Sequence, residues 1–316
     1  MTCPFCSSLC KKFWKDRNGY QRYRCRQCGK VLTEPHNGHF SGMYTSPQEA
    51  ASVLRLMMEG MSVRSIARLT SLHRDTILRV LVHAGAQCET FLHRTIHAVP
   101  VHDVQCDELW GFVGCKEKNN VEDRVHRGDA YCFVAIEQQS KLILAWHLGR
   151  RTAEDTELFT EKLDQATSGR FQLTTDGFAA YPDAVHYSLG TRVDFAQLVK
   201  VYAAPRDLDQ RYSPASVVNA ISVQRWGEPD PQQICTSHVE RQNLTMRMQL
   251  RRLTRLTNAF SKKWENLKAA LAVYFAHYNF LRVHTTLRMT PAMQAGLTGH
   301  IWTWMELLNG HIPSNG

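Results

Sequence analysis

Between residues 46 and 85, apolar residues recur at three- and four-residue steps, the period of amphipathic helices. Ser46-Pro47 reads as an N-cap and first helical position. Val53, Leu54, Leu56 and Met57 form the stripe of this helix, and Gly60 ends it. Ser62 caps a second helix with Ile66, Ala67 and Leu69 inward. After a turn at Ser71-Leu72, a third runs from His73 to Ala84 on Ile77, Leu78, Leu81 and Val82. Helix, tight turn, helix is the helix-turn-helix pattern, expected over residues 44–86. Its last helix would enter a DNA major groove, with Arg74, Asp75, Thr76 and Arg79 outward. Residues 87–100 read as a linker ending at Pro100, with Cys88 an ordinary thiol.

From residue 101 the period changes to that of strands. "VHDVQCDELWGFVGC" alternates and is rich in Val, Phe and Trp. "DAYCFVAIEQQSKLILAWHLG" predicts two more strands around a turn. A helix follows with Leu158, Phe159 and Leu163 on one face, then a strand ending at Asp176-Gly177, then the strand "AQLVKVYAAP". Residues 203–235 are Pro-rich and polar, and read as an insertion or long loop. The helix "SHVERQNLTMRMQLRR" comes next. Three strands, helix, strand, short helix, strand, helix is the element order of the ribonuclease-H-like fold. The expected fold class is therefore α/β, with that core over residues 101–281 and a C-terminal tail over 282–316.

Charge adds a partner. The chain has 38 basic and 29 acidic residues among 316, net +9. Residues 1–37 hold eight Lys/Arg against Asp16 and Glu34, and residues 240–268 hold eight against Glu240 and Glu265. Two separated basic clusters point to nucleic acid. The longest apolar helical run, "AALAVYFA", is far short of the roughly 20 residues a bilayer requires. With no signal-peptide core, the chain is expected in the cytoplasm, associated with the nucleoid of a prokaryotic host.

Ten cysteines without a secretory signal favour thiols and metal over disulfides. Cys3, Cys6, Cys25 and Cys28 form two C-x2-C knuckles separated by eighteen residues, the spacing of a structural Zn2+ site. A ribbon over residues 1–37 is too small for an adequate apolar core, so the metal would supply folding energy. Cys10 lacks a C-x2-C partner. Lys11, Lys12, Lys15, Arg17, Arg22 and Arg24 interleave with Trp14, Tyr20 and Tyr23, as in a DNA-contacting ribbon.

Three carboxylates stand out by position: Asp107 in the first strand, Asp176 after a later strand, and Glu240 on the helix after the last. In the expected fold they converge at one end of the sheet, as hard oxygen ligands for two Mg2+ or Mn2+ ions. Alternation sends Glu108 to the other face, Asp103 is a possible substitute for Asp107, and Asp183 and Asp194 read as loop residues. On the basic helix, Glu240, Arg247 and Arg251 share a side at helical spacing, with the arginines placed to hold DNA phosphates. Val239, Met246, Leu250 and Leu253 form its apolar side.

"CDELWGFVGCKEKN", "TTDGFAAY" and "SHVERQNLTMRMQLRRLTRLTNAFSK" together resemble the transposases of the insertion-sequence-one family. The resemblance implies a DDE site of Asp107, Asp176 and Glu240, with Arg247 the basic residue seven positions on. The tail "HYNFLRVHTTLRMTPAMQAGLT" looks more like the ending of other integrase-like transposases, with His284 structural or a phosphate contact. The implied function is binding of terminal inverted repeats, metal-dependent strand cleavage and strand transfer into target DNA, by a dimer or larger assembly on double-stranded DNA. The alternatives are an inactive or domesticated DNA-binding regulator, and a ribonuclease-H-like nuclease or resolvase that cleaves without joining.

Overall fold

The computed structural model describes residues 1–16, 20–33, 40, 43–120, 126–202, 217–255 and 257–309. Arg17, residues 203–216 of the expected insertion and the end of the tail lie outside these. The chain forms two compact units, Met1–Ala50 and Ala51–Gly316.

The first unit holds an antiparallel sheet of β1 (Cys10–Lys15), β2 (Gln21–Cys25) and β3 (Val31–Thr33), in that order. Lys11, Lys12, Phe13, Trp14 and Lys15 along β1 are all exposed. The helices begin with α1 (Pro47–Met58). Ser46 and Glu49 close a capping box: Ser46 N donates to Glu49 Oε2 over 2.8 Å, and Glu49 N donates to Ser46 Oγ over 3.2 Å.

In the second unit, α2 (Val63–Thr70) is capped by Ser62, whose side chain accepts from Ser65 N. It ends at Ser71, whose φ of 57° is left-handed. Then α3 runs from Arg74 to Thr95, well past the expected stop near Ala84. Most of the expected linker 87–100 is therefore helix, followed by β4 (Val99–Pro100). The helical period continues through buried Cys88, Phe91 and Leu92. Gly85 is not a terminator but a contact point, because a Cβ there would lie 2.5 Å from Ala269 Cα. Ala269 belongs to α7 (Trp264–Ala276), whose apolar stretch "AALAVYFA" is buried throughout. Buried Ile77, Val80, Leu81 and Ala84 line the core side of α3, whereas Leu69 of α2, expected inward, is 64% exposed.

A six-stranded mixed sheet makes the centre of this unit. β5 (Asp103–Val113), β6 (Gly128–Glu137) and β7 (Ile143–Gly149) form an antiparallel meander. After α4 (Ala153–Ala166) and the short β8 (Thr167–Ser168), which pairs with β4, β9 (Phe171–Asp176) lies parallel to β5. After α5 (Tyr181–Ser188), β10 (Val193–Tyr202) lies parallel to β9. β11 (Val217–Trp226) pairs antiparallel with β10, so much of the described part of the expected loop 203–235 is a strand. The sheet order is β11-β10-β9-β5-β6-β7, and α6 (Ser237–Gln249) follows. Asp194 and Asp183 are in β10 and α5 rather than in loops.

Strand alternation assigns the two faces. Phe133 of β6 packs on Phe159 of α4, with ring centres 5.5 Å apart. Trp146 of β7 packs on Phe275 of α7 on the opposite face, at 5.3 Å. The described residues end with a π-helical turn (His277–Leu281), α8 (Pro291–Gln294) and α9 (Trp304–Asn309). Buried Asn279 in that turn accepts from Ile143 N and donates to Ile143 O, at 3.0 and 2.9 Å, closing the outer edge of β7 as a strand would. Among the described residues no helix is long and apolar enough to cross a membrane.

Candidate active site

Gln105 sets the geometry. It lies two residues before Asp107 on β5, on the same face, and is fully buried. Its Oε1 accepts from the backbone N of His238 (2.9 Å) and Val239 (3.3 Å), satisfying donors that the start of α6 leaves unpaired. This joint seats α6 against β5. One turn along α6, Asn243 donates to Asp107 Oδ2 over 2.8 Å. Val239 and Met246 of α6 are buried, and so are Leu250 and Leu253, which stand beyond the end of the helix rather than on its apolar side.

Asp107, Asp176 and Glu240 line one open cleft, together with Arg151, Phe178, Lys200 and Thr236. Asp176 closes β9, and its Oδ1 accepts from Phe178 N over 3.0 Å, which fixes the carboxylate at the strand end. Glu240 is exposed and accepts from Thr236 Oγ1 and from Lys200 Nζ. Glu108 joins the group from the opposite face of the sheet. One carboxylate oxygen from each of Asp107, Glu108 and Asp176 lies within 4.8 Å of the others. Asp103, the possible substitute for Asp107, stands four residues back on β5 and does not line the cleft.

Burial is the main force on these acids. Burial, and then the charge of Asp176, raises Asp107 to about 7 and Glu108 to about 8. Asp176 is itself raised, again by burial, against the pull of Arg151 and Lys200. Crowded carboxylates that resist ionisation are a donor set suited to a hard divalent cation, and this group could hold such ions.

In the first unit, the sulfurs of Cys3, Cys6, Cys25 and Cys28 all lie within 4.8 Å of one another. The Cys3–Cys28 and Cys6–Cys25 separations are 3.6 and 3.4 Å. A tetrahedral zinc with Zn–S bonds of about 2.3 Å places its sulfurs about 3.8 Å apart, so the four thiols could hold zinc. Cys10 pairs with Cys25 in the β1–β2 register yet stays outside this group.

The sequence-derived DNA contacts divide. Arg74 and Arg79 are exposed and Thr76 half-buried, all in the first two turns of α3. Arg247 is committed to the fold: it donates to the backbone O of Leu253 (2.9 Å) and Trp110 (3.1 Å). α6 stops at Gln249, so Arg251 stands exposed in a 3-10 turn rather than on the same helical face as Glu240. Sequence reading missed Gln105, Asn243, Arg151 and Lys200. Same-face spacing from Asp107 pointed to Gln105, and the three-residue step from Glu240 pointed to Asn243. Lone basic residues such as Arg151 and Lys200 carry no such signal.

No protein-family model and no curated protein matches the chain. A solved structure of a piggyBac transposase synaptic complex with hairpin DNA aligns over 87% of this chain and 72% of its own, at 11% identity and a TM-score of 0.39. A likeness of that size establishes neither a shared fold nor a shared activity. The insertion-sequence-one resemblance therefore stands on its motifs alone.

Proposed function

We propose that the chain is a DDE transposase that cuts DNA at the terminal inverted repeats of an insertion sequence and joins the freed ends to target DNA. The observation that carries this reading is a single cleft lined by Asp107, Asp176 and Glu240, contributed by β5, β9 and α6. The antiparallel β5-β6-β7 meander, with β9 and β10 parallel to β5 beside it, supports a ribonuclease-H-like core. Two Mg2+ or Mn2+ ions held by the three acids would activate water or a 3′-hydroxyl and stabilise the leaving oxygen of a phosphodiester.

The chain's own residues do the positioning. Gln105 and Asn243 fix α6 on β5, so that Glu240 faces the same cleft as Asp107. Arg74, Thr76 and Arg79 at the start of α3 suit a major-groove contact, and the exposed lysines of β1 suit a second DNA contact. Arg251 is a candidate phosphate contact, and Arg247 serves it by anchoring the turn that carries it. Two element ends must be held together during joining, so a dimer or larger assembly on DNA belongs to this reading. Its setting would be the nucleoid of a prokaryotic cell.

The test is strand transfer. Full-length protein, a labelled duplex carrying the DNA that flanks the reading frame, and a supercoiled target are incubated with Mg2+, beside a Glu240→Gln control. Joined product that disappears in the control is the expected result. Binding without joining in both proteins would reduce the chain to a DNA-binding regulator.

A further inference from the structure

Glu108 stands in the same carboxylate group as Asp107 and Asp176, yet it is also gripped by an arginine. Its side chain is only 2% exposed, and it faces α5, near the Tyr181 hydroxyl, rather than α6. An isolated carboxylate in such a place is costly, and a cation offsets that cost. Arg151, in the turn before α4, supplies it. Arg151 Nε donates to Glu108 Oε2 over 3.1 Å, and Nη2 donates to Asp176 Oδ2 over 3.3 Å. The guanidinium carbon lies 4.2 Å from the centre of the Phe178 ring.

Two hydrogen bonds and a ring fix the plane of this guanidinium. Its side chain is nevertheless 40% exposed and lines the cleft. Among the described residues, the Nη1 edge has no hydrogen-bond partner. An arginine held on one edge and open on the other is a preorganised donor for an anion, because its orientation is already set before the anion arrives. The transposase reading supplies the anion class: a phosphodiester oxygen beside Asp176.

We propose that Arg151 is a phosphate-binding residue of this cleft, presenting Nη1 to the DNA strand beside Asp176, and that Glu108 is the positioning residue that holds it there. This rests on the transposase reading. It gives Glu108 Oε2 to Arg151, while the buried Oε1 has no hydrogen-bond partner among the described residues. Lysine could replace the charge of Arg151 but not the fork that grips Glu108 and Asp176 together.

The experiment uses full-length protein, Mn2+ and a fluorescent duplex carrying the DNA that flanks the reading frame. Arg151→Gln is expected to slow strand nicking about 100-fold. Its Mn2+ affinity should not weaken, because a cation has been removed from beside Asp176. Arg151→Lys should recover only part of the rate, and Glu108→Gln should fall between wild type and Arg151→Gln. A duplex with one uncharged methylphosphonate at the mapped cleavage position separates contact from misfolding. It should weaken binding by the wild type by a larger factor than binding by Arg151→Gln, the difference being the contact made by Arg151.

Nicking by Arg151→Gln at the wild-type rate would overturn the proposal. So would a loss of Mn2+ affinity in Glu108→Gln equal to that in Asp107→Asn, which would make Glu108 a metal ligand. Wild-type protein that neither binds nor nicks the duplex would bring down the transposase reading itself, and this inference with it.

Discussion

Asn243 donates a 2.8 Å hydrogen bond to Asp107 Oδ2, tying α6 to the middle of β5. The bond supports a nearly buried carboxylate whose other neighbours include Asp176 and Glu240, both acids. Asn243→Ala removes the donor and leaves Asp107 poorly satisfied. The expected cost is about 1–3 kcal/mol of stability, read from urea unfolding, with a larger loss in strand joining. Asn243→Asp should do more harm than Asn243→Ala, because it sets a like charge against Asp107. Equal stability for all three proteins would mean that the bond does not hold the two elements together.

The raised acids give the metal-stripped protein a pH signature. Asp107 moves from 3.8 to about 7 and Glu108 from 4.5 to about 8 on folding. Between the unfolded and folded values the native state binds more protons than the unfolded one, so stability falls as pH rises. In EDTA the melting temperature should drop from pH 5 to pH 8 and level off above that. Asp107→Asn should flatten part of this slope, and Mn2+ at pH 8 should reverse the loss. A melting temperature that climbs over this range, with no difference in Asp107→Asn, would refute it.

Zinc removal should act on the first unit alone. Cys25 lies at the end of β2, with its sulfur 3.4 Å from that of Cys6. Cys25→Ser is expected to lower zinc content, measured by mass spectrometry, from one ion per chain to near zero. Protease cutting within residues 1–50 should then appear, while the Ala51–Gly316 unit keeps its melting transition. Full zinc occupancy in Cys25→Ser would remove the four-thiol site.

Gly85→Ala tests the contact between α3 and α7. The added Cβ would meet Ala269 Cα and Cβ at 2.5 Å, so the helices must part. Overpacking of this kind costs about 1–3 kcal/mol. Ala269→Gly in the same chain should return part of it. A helix-stabilising gain from Gly85→Ala in denaturant titrations would show that the two helices are not so closely packed.

Arg79→Ala addresses the proposed DNA face. If the exposed Arg79 reads a base edge, the variant should lose about 1–3 kcal/mol of specific binding and little on random DNA. Equal losses on both duplexes would make Arg79 a phosphate contact.

Periodicity was a good guide wherever one face of an element is buried. The strands β5, β6, β7, β9 and β10 and the helix α1 follow it, whereas Leu69 of α2 and Leu158 of α4, assigned to apolar stripes, are 64% and 42% exposed. It failed where burial and period part company. β11 is exposed on nearly every residue, so it carries no alternation and reads as a loop. Gly85 looks like a helix stop in sequence, and only the position of Ala269 explains why a glycine stands inside α3. The convergence of Asp107, Asp176 and Glu240 on one cleft was legible because their strand and helix ends are ordered along the chain. Arg151 was not, since its partners Glu108 and Asp176 lie 43 and 25 residues away, and only the folded sheet brings them within reach.

The unbroken run of α3 makes it a ruler. Its first turns carry Arg74, Thr76 and Arg79, and its middle is pinned at Gly85 to α7, which packs on the six-stranded sheet. Six residues separate Arg79 from that pin, about 9 Å of rise. Both the distance and the rotational phase between those first turns and the α7 contact are thus set by a count of residues along one unbroken helix. One residue inserted between Arg79 and Gly85 would turn the face that carries Arg74 and Arg79 by about 100°. Under the proposed function, a DNA end gripped by that face would then arrive at the three acids rotated out of line, however intact the acids themselves remained.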